Sequence, residues 1–192
     1  MCGIAGGLFW GGGVDASRAR AAVDAMVSTL AHRGPDGHGI YVSPTDAGAR
    51  APFAVLGHTR LAIIDLSADG AQPMGLGHGG PWVTFNGEIY NYAALRSELE
   101  KSATFHSHSD TETLLHGYDQ WDRGVLARLR GMFACAIWDP RRERLLLARD
   151  RLGIKPLYIH QGDGFFLFAS EVRALLASGL VPRQINLTSL WQ

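Results

Sequence analysis

Residues 2–10 are apolar and glycine-rich, Gly11-Gly12-Gly13 interrupts them, and apolar positions then recur at Ala19, Ala22, Val23, Met26, Val27 and Leu30. The first pattern suits a strand and the second suits one face of a helix, so the predicted opening is strand, loop, amphipathic helix. Arg33-Gly34-Pro35-Asp36-Gly37 is a turn cluster, and two short β-like runs follow at 39–42 and 53–58, with 61–66 continuing the β character. Residues 82–85 read as another strand, and Asn91 is placed to cap a short helix through Leu95 and Leu99. Ser109-Asp110-Thr111-Glu112 has the form of a capping box ahead of Leu114, Leu115, Tyr118 and Trp121, which share a helical face.

The second half pairs up. The runs 132–138 and 144–148 flank Asp139-Pro140-Arg141-Arg142, and 156–160 and 165–169 flank Gln161-Gly162-Asp163-Gly164, which predicts two hairpins. A helix over about 171–178 ends near Gly179. Short strands with helices between groups of them indicate an α+β, layered, largely antiparallel fold. Residues 43–52 and 67–81 are loop-like, and no internal repeat is visible.

At 192 residues the chain fits one domain, expected over 2–180. Residues 181–192 read as the start of a linker and further helix that stops without a helix-stop signal. Eighteen basic and eighteen acidic residues cancel, so no electrostatic drive toward nucleic acid or an anionic membrane is implied. Two cysteines make no disulfide framework and no apolar run is long enough for a signal or membrane span; a cytoplasmic location fits.

Cys2 is the most informative position. A lone cysteine is more often an inert apolar residue. Once Met1 is removed, however, residue 2 carries both a thiol and an α-amine of pKa about 7.7 to 8.0, so nucleophile and general base share one residue. Cys135 lies in an apolar run and reads as core.

Asn86-Gly87 is the favoured pair of a type I′ hairpin turn and needs no function to explain it. An Asn amide and a Gly backbone N–H could equally serve as the two donors of an oxyanion hole. Arg60 has the planar fork that suits a carboxylate, although an arginine after a strand is usually solvated. Asp110 lies at a helix N-terminus, where a carboxylate is favourable with or without a ligand, and Glu88 is similarly open to either reading. His106-Ser107-His108 would present two histidines on one strand face, but no third ligand has a recognised spacing and no metal is expected. The glycine-rich stretches lack a phosphate-loop lysine, so no nucleotide site is expected either.

Cys2-Gly3-Ile4-Ala5-Gly6, His32-Arg33-Gly34-Pro35-Asp36-Gly37, Gly57-His58-Thr59-Arg60-Leu61-Ala62-Ile63-Ile64-Asp65, Phe85-Asn86-Gly87-Glu88-Ile89-Tyr90-Asn91 and Ser109-Asp110-Thr111-Glu112 stand in order along the chain. Together they resemble the class II glutamine amidotransferases. The Arg-Gly-Pro-Asp-Gly and Arg-Leu-Ala-Ile-Ile-Asp forms, with residues 150–158, are similar to the asparagine synthetase branch. The resemblance implies the N-terminal nucleophile hydrolase fold, a four-layer αββα sandwich of two mainly antiparallel sheets. It implies Cys2 as nucleophile, with its own amine as base, and Asn86 and the Gly87 amide as oxyanion donors. Arg60 would bind the α-carboxylate of glutamine, Asp110 its α-ammonium with help from Glu88, and Leu61 and Ile63 would offer backbone groups.

Ammonia released in this way would pass to an ATP-dependent synthetase domain, in cis or in trans, that these residues do not include. No cofactor is expected in this domain, and ATP and Mg only in that other one; a homodimer is compatible with the resemblance. The competing expectation is a regulatory amidotransferase-like module without catalysis. Residues 150–158 would be structural or interdomain.

Overall fold

The computed structural model describes residues 1–45, 51–77 and 79–185. β1 (Gly3–Phe9), β2 (Gly37–Val42), β3 (Phe53–Arg60), β8 (Tyr158–Gly162) and β9 (Phe165–Ala169) form one sheet in the order β2-β3-β1-β9-β8. β4 (Met74–Gly75), β5 (Trp82–Ile89), β6 (Gly131–Asp139) and β7 (Arg144–Arg149) form a second, in the order β4-β5-β6-β7. Every pairing between neighbouring strands is antiparallel.

Alternation of side chains along the strands sorts the core into three layers. Ala5, Phe9, Val55, Leu167 and Ala169 face outward from the first sheet onto α1 (Ala16–Thr29) and α5 (Val172–Ala177). Their neighbours in sequence, Ile4, Ala54, Leu56 and Phe168, face inward and meet Ala134, Ala136 and Trp138 of β6 between the sheets. Val83, Phe85 and Ile89 point to the far side of the second sheet, under α2 (Tyr92–Leu99), α3 (Asp110–Trp121) and α4 (Val125–Arg128). The architecture is therefore the αββα sandwich expected of the N-terminal nucleophile fold.

Both hairpins form, as β6–β7 and β8–β9. α1 starts at Asp15, whose carboxylate accepts the Arg18 amide at 2.8 Å, and α5 gives way to Gly179 at φ +68°. Several local expectations change. Residues 61–66 are a loop, because the chain leaves the sheet after Arg60 and its amide at Ala62 turns to Asp36 Oδ2 (2.9 Å). Asn86-Gly87 forms no turn: both residues lie inside β5, opposite Ala134 and Phe133.

Asn91 precedes α2 without capping it; its side chain instead accepts the Arg130 amide (2.9 Å) and donates to the Arg128 carbonyl (3.0 Å). Ser109 caps α3 through the Thr111 amide at 3.0 Å, but Glu112 reaches past the cap to the amides of His106 and Ser107. His106 and His108 therefore sit on an irregular segment and not on a strand. Within the stretch read as a loop, 67–81, the chain forms a 3₁₀ turn (Ala68–Gly70) and the short β4. Of the expected linker, 181–185 has no helix or strand, and 186–192 lies outside the described residues.

Candidate active site

The register of β1 against β3 creates the site. Ile4 pairs with His58 and Gly3 with Thr59, so Cys2 continues the inward-facing row of Ile4, beside the inward row of His58 and Arg60. On the second sheet the inward row of β5 is Trp82, Thr84, Asn86 and Glu88, paired with Trp138, Ala136, Ala134 and Met132. The layer between the sheets is filled by apolar side chains at one end and opens into a cleft at the other. That cleft, of about 200 Å³, suits a ligand smaller than a typical drug molecule, in the size class of an amino acid.

Cys2 is fixed by main-chain groups. The Leu61 amide donates to Sγ at 3.4 Å, the thiol points to the Leu61 carbonyl at 3.6 Å, and Arg33 Nε donates to the Cys2 carbonyl at 3.0 Å. Arg33 is itself held by Glu171 across 3.0 Å. Gly3 permits this approach, since a Cβ there would stand 2.6 Å from Thr59 Oγ1.

The facing wall is β5. Asn86 is 1% exposed, and its Nδ2 has no hydrogen-bond partner. Leaving a buried amide donor unpaired costs about 1 to 3 kcal/mol, so the site carries a standing demand for an acceptor. Gly87 is needed for packing: a Cβ there would meet Met132 O at 2.4 Å. The outward Phe85 amide is taken by Gln72 Oε1 at 2.7 Å, and Gln72 Nε2 donates onward to Thr111 (3.2 Å), which ties β5 to α3.

Two residues of opposite charge line the cleft with that wall. Arg60 donates through Nη2 to the Asp65 carbonyl and through Nη1 to the Ser67 carbonyl at 2.9 Å, which curls 61–67 around its guanidinium. Asp65 locks that loop: its carboxylate accepts the Ser67 hydroxyl (2.6 Å) and the His108 amide (2.8 Å), and these bonds hold it down to about 2. Asp110 is 4% exposed and accepts the Ile89 amide at 2.9 Å. Burial, with Glu88 adding to it, pushes Asp110 up to about 6.

Cys2, Arg60, Leu61, Ile63, Asn86, Gly87, Glu88 and Asp110 all line this one cleft. Ile63 and Glu88 are at its exposed rim. Cys135 is fully buried in the core, and burial raises its thiol to about 12. Among the described residues no three His, Cys, Asp or Glu side chains gather to hold a metal. The pattern along the chain did not reveal Arg33, His58, Gln72 or Lys155 as site residues. Arg33 and His58 sat inside motifs already noted, but their contacts with Cys2 and Phe85 are made across the fold.

A family model described as "Glutamine amidotransferase domain" matches residues 1–192. The chain belongs to that family. The domain is 38% identical to asparagine synthetase [glutamine-hydrolyzing] 3 of Bacillus subtilis, over 99% of the domain and 30% of that protein. It is 37% identical to amidase chry2 of Gibberella zeae, over 88% of the domain and 24% of that protein. Among solved structures, glutamine phosphoribosylpyrophosphate amidotransferase from B. subtilis superposes with a TM-score of 0.71 at 23% identity, over 93% of the domain and 44% of that chain, which establishes the shared fold. The domain thus spans a third or less of the length of these curated relatives. Among the described residues no helix is long and apolar enough to cross a membrane.

Proposed function

We propose that the domain hydrolyses the side-chain amide of glutamine to glutamate and ammonia through a thioester on Cys2. The observation that carries this reading is the pairing across one cleft of the Cys2 thiol with the buried, unpartnered Nδ2 of Asn86. With Met1 removed, the α-amine of Cys2 takes the thiol proton and Sγ attacks the carboxamide carbon. The oxyanion is held by Asn86 Nδ2 and the Gly87 amide. The C–N bond then breaks as the amine returns the proton to nitrogen, releasing ammonia. Water adds to the thioester with the same amine as base, and glutamate leaves with the thiol restored.

Arg60 and Asp110 both line the cleft, and their opposite charges suit the α-carboxylate and α-ammonium of a free amino acid. Glu88 adds negative charge on the ammonium side, and Leu61 and Ile63 frame the chain of the substrate. These steps need no cofactor.

In a second reading the ammonia serves an asparagine synthetase-type transfer in a partner domain, for which the support is the likeness to the Bacillus subtilis protein and the 30% of its length that the domain spans; ATP and Mg would act in that other domain, in the cytoplasm. The test is glutamate release from glutamine by purified protein, with intact mass confirming loss of Met1 and Cys2→Ala as control. Activity abolished in Cys2→Ala supports the reading. Glutamate release that persists in that variant overturns the thioester on Cys2, and its absence from processed protein that binds glutamine overturns hydrolysis in favour of a binding module.

A further inference from the structure

His58 is a buried titratable side chain of the cleft to which the proposed chemistry gives no task, and its ring bridges the two sheets. It is 1% exposed, on the inward face of β3, and its Nε2 donates to the Phe85 carbonyl of the opposite sheet at 3.1 Å. Its Nδ1 is buried without a partner. An imidazole that donates from Nε2 while staying neutral must leave Nδ1 as the acceptor, and burial, with the nearby Arg60 cation, holds His58 down to about 4. The ring is therefore a fixed, neutral tautomer at ordinary pH.

The carbonyl it grips belongs to the peptide that joins Phe85 to Asn86, so the ring sets the plane from which the Asn86 side chain springs. Thr84 adds a second inter-sheet bridge by donating to the Gly57 carbonyl at 3.0 Å. Both bridges join neighbouring residues of β3 to neighbouring residues of β5. Much of the remaining contact between the sheets is apolar, and that attraction is non-directional. A hydrogen bond adds a preferred distance and angle.

Cys2 is carried by the first sheet and Asn86 by the second, so their mutual placement depends on how the sheets are keyed together. We propose that His58 is a positioning residue of the glutaminase site: its Nε2–H bond to the Phe85 carbonyl keys the two sheets and holds Asn86 opposite Cys2. The proposal rests on the reading of Asn86 as an oxyanion donor. Misplacement of a reacting group by about 1 Å costs on the order of 100-fold in rate, so loss of the key is expected to act on the chemical step.

The experiment compares His58→Asn, which puts an amide near the Nδ1 position and cannot reach Phe85, with His58→Gln, whose amide nitrogen falls near Nε2 and can. In the full chain, His58→Asn is expected to lower kcat for glutamine by about 10- to 100-fold with KM within about 3-fold, because Arg60 and Asp110 are untouched. His58→Gln is expected to restore most of that loss. In an Asn86→Ala background His58→Asn should add little further loss, since the group it positions is gone.

Full additivity of the two substitutions, or equal loss in His58→Gln and His58→Asn, overturns the proposal. Should Asn86→Ala itself retain full activity, the oxyanion reading fails, while failure of the His58 proposal alone shows as a large Asn86→Ala effect with additivity. Nitrogen NMR of the wild-type protein provides a measurement independent of how the variants fold. His58 protonated on Nε2 at pH 7 is the expected result, and protonation on Nδ1 overturns the proposal.

Discussion

The Asp110 carboxylate accepts the Ile89 amide at 2.9 Å, so the first residue of α3 is bonded to the last residue of the strand that carries Asn86. This bond puts a buried acid beside the cleft and, with Gln72 between Phe85 and Thr111, fixes α3 against β5 at two points. Burial raises Asp110 to about 6, and it must be ionised to receive an ammonium group. Glutamine affinity of the Cys2→Ala protein is therefore expected to rise with pH through about 6, with proton release on binding below that pH; calorimetry at several pH values checks it. Affinity that does not change between pH 5 and pH 7 (chosen to be about one unit either side) would remove Asp110 from the ammonium site.

Asp110→Asn separates function from stability. The amide keeps an acceptor for Ile89 but removes a charge that burial disfavours, so stability above pH 6 should rise by as much as about 3 kcal/mol while KM for glutamine rises on the order of 100-fold. Denaturant melts and steady-state kinetics on one preparation read both. A variant that loses stability would show that Asp110 is not strained in the resting site.

Two buried groups oppose each other under mild acid. His58, lowered to about 4 from 6.5, lets the unfolded chain take up a proton that the folded chain refuses; stability falls as pH drops from 6.5 to about 4 and then levels. Asp110, raised from 3.8 to about 6, does the reverse, and stability rises as pH drops from about 6 toward 3.8. Each amounts to about 3 kcal/mol, so from these two groups the wild-type profile is nearly flat between pH 6 and pH 4. His58→Gln should unmask a rise on acidification, and Asp110→Asn should unmask a fall. Parallel profiles for the three proteins in urea titrations would sink this account.

Asn86→Ala should cut kcat for glutamine by about 100- to 1,000-fold, the usual cost of one oxyanion donor, with little change in KM. Gly87→Ala should act differently, because its Cβ would press on Met132 O and force β5 from β6. A fall in melting temperature corresponding to about 1 to 3 kcal/mol is expected, and differential scanning calorimetry checks it.

Met1 lines the cleft beside Cys2, with its sulfur 3.3 Å from Lys155 Nζ. While it remains, the nitrogen of Cys2 is an amide with no basic lone pair, and its side chain takes up space in the cleft. Protein purified from cells in which methionine removal is inhibited should keep Met1 by intact mass and release no glutamate. Full activity with Met1 in place would rule out the α-amine as the base.

The sequence by itself determined most of the longer strands and helices, the two hairpins and the eight candidate residues, because period-2 and helical patterns, capping residues and ordered motifs are local signals. Local signals also misled. Asn86-Gly87 has the chemistry of a turn, yet eight residues of β6 pair with β5 straight through it, and that long-range ladder outweighs the preference of two residues. Residues 61–66 are apolar enough for a strand, yet the Arg60 guanidinium and the Asp65 carboxylate bind the loop to itself and to His108. Tertiary structure alone decided that Arg33 would reach the Cys2 carbonyl, that Gln72 would bond the Phe85 amide, and that His58 would key one sheet to the other. These partners lie 13 to 31 positions apart in the chain, and no local pattern encodes the angle at which two sheets stack.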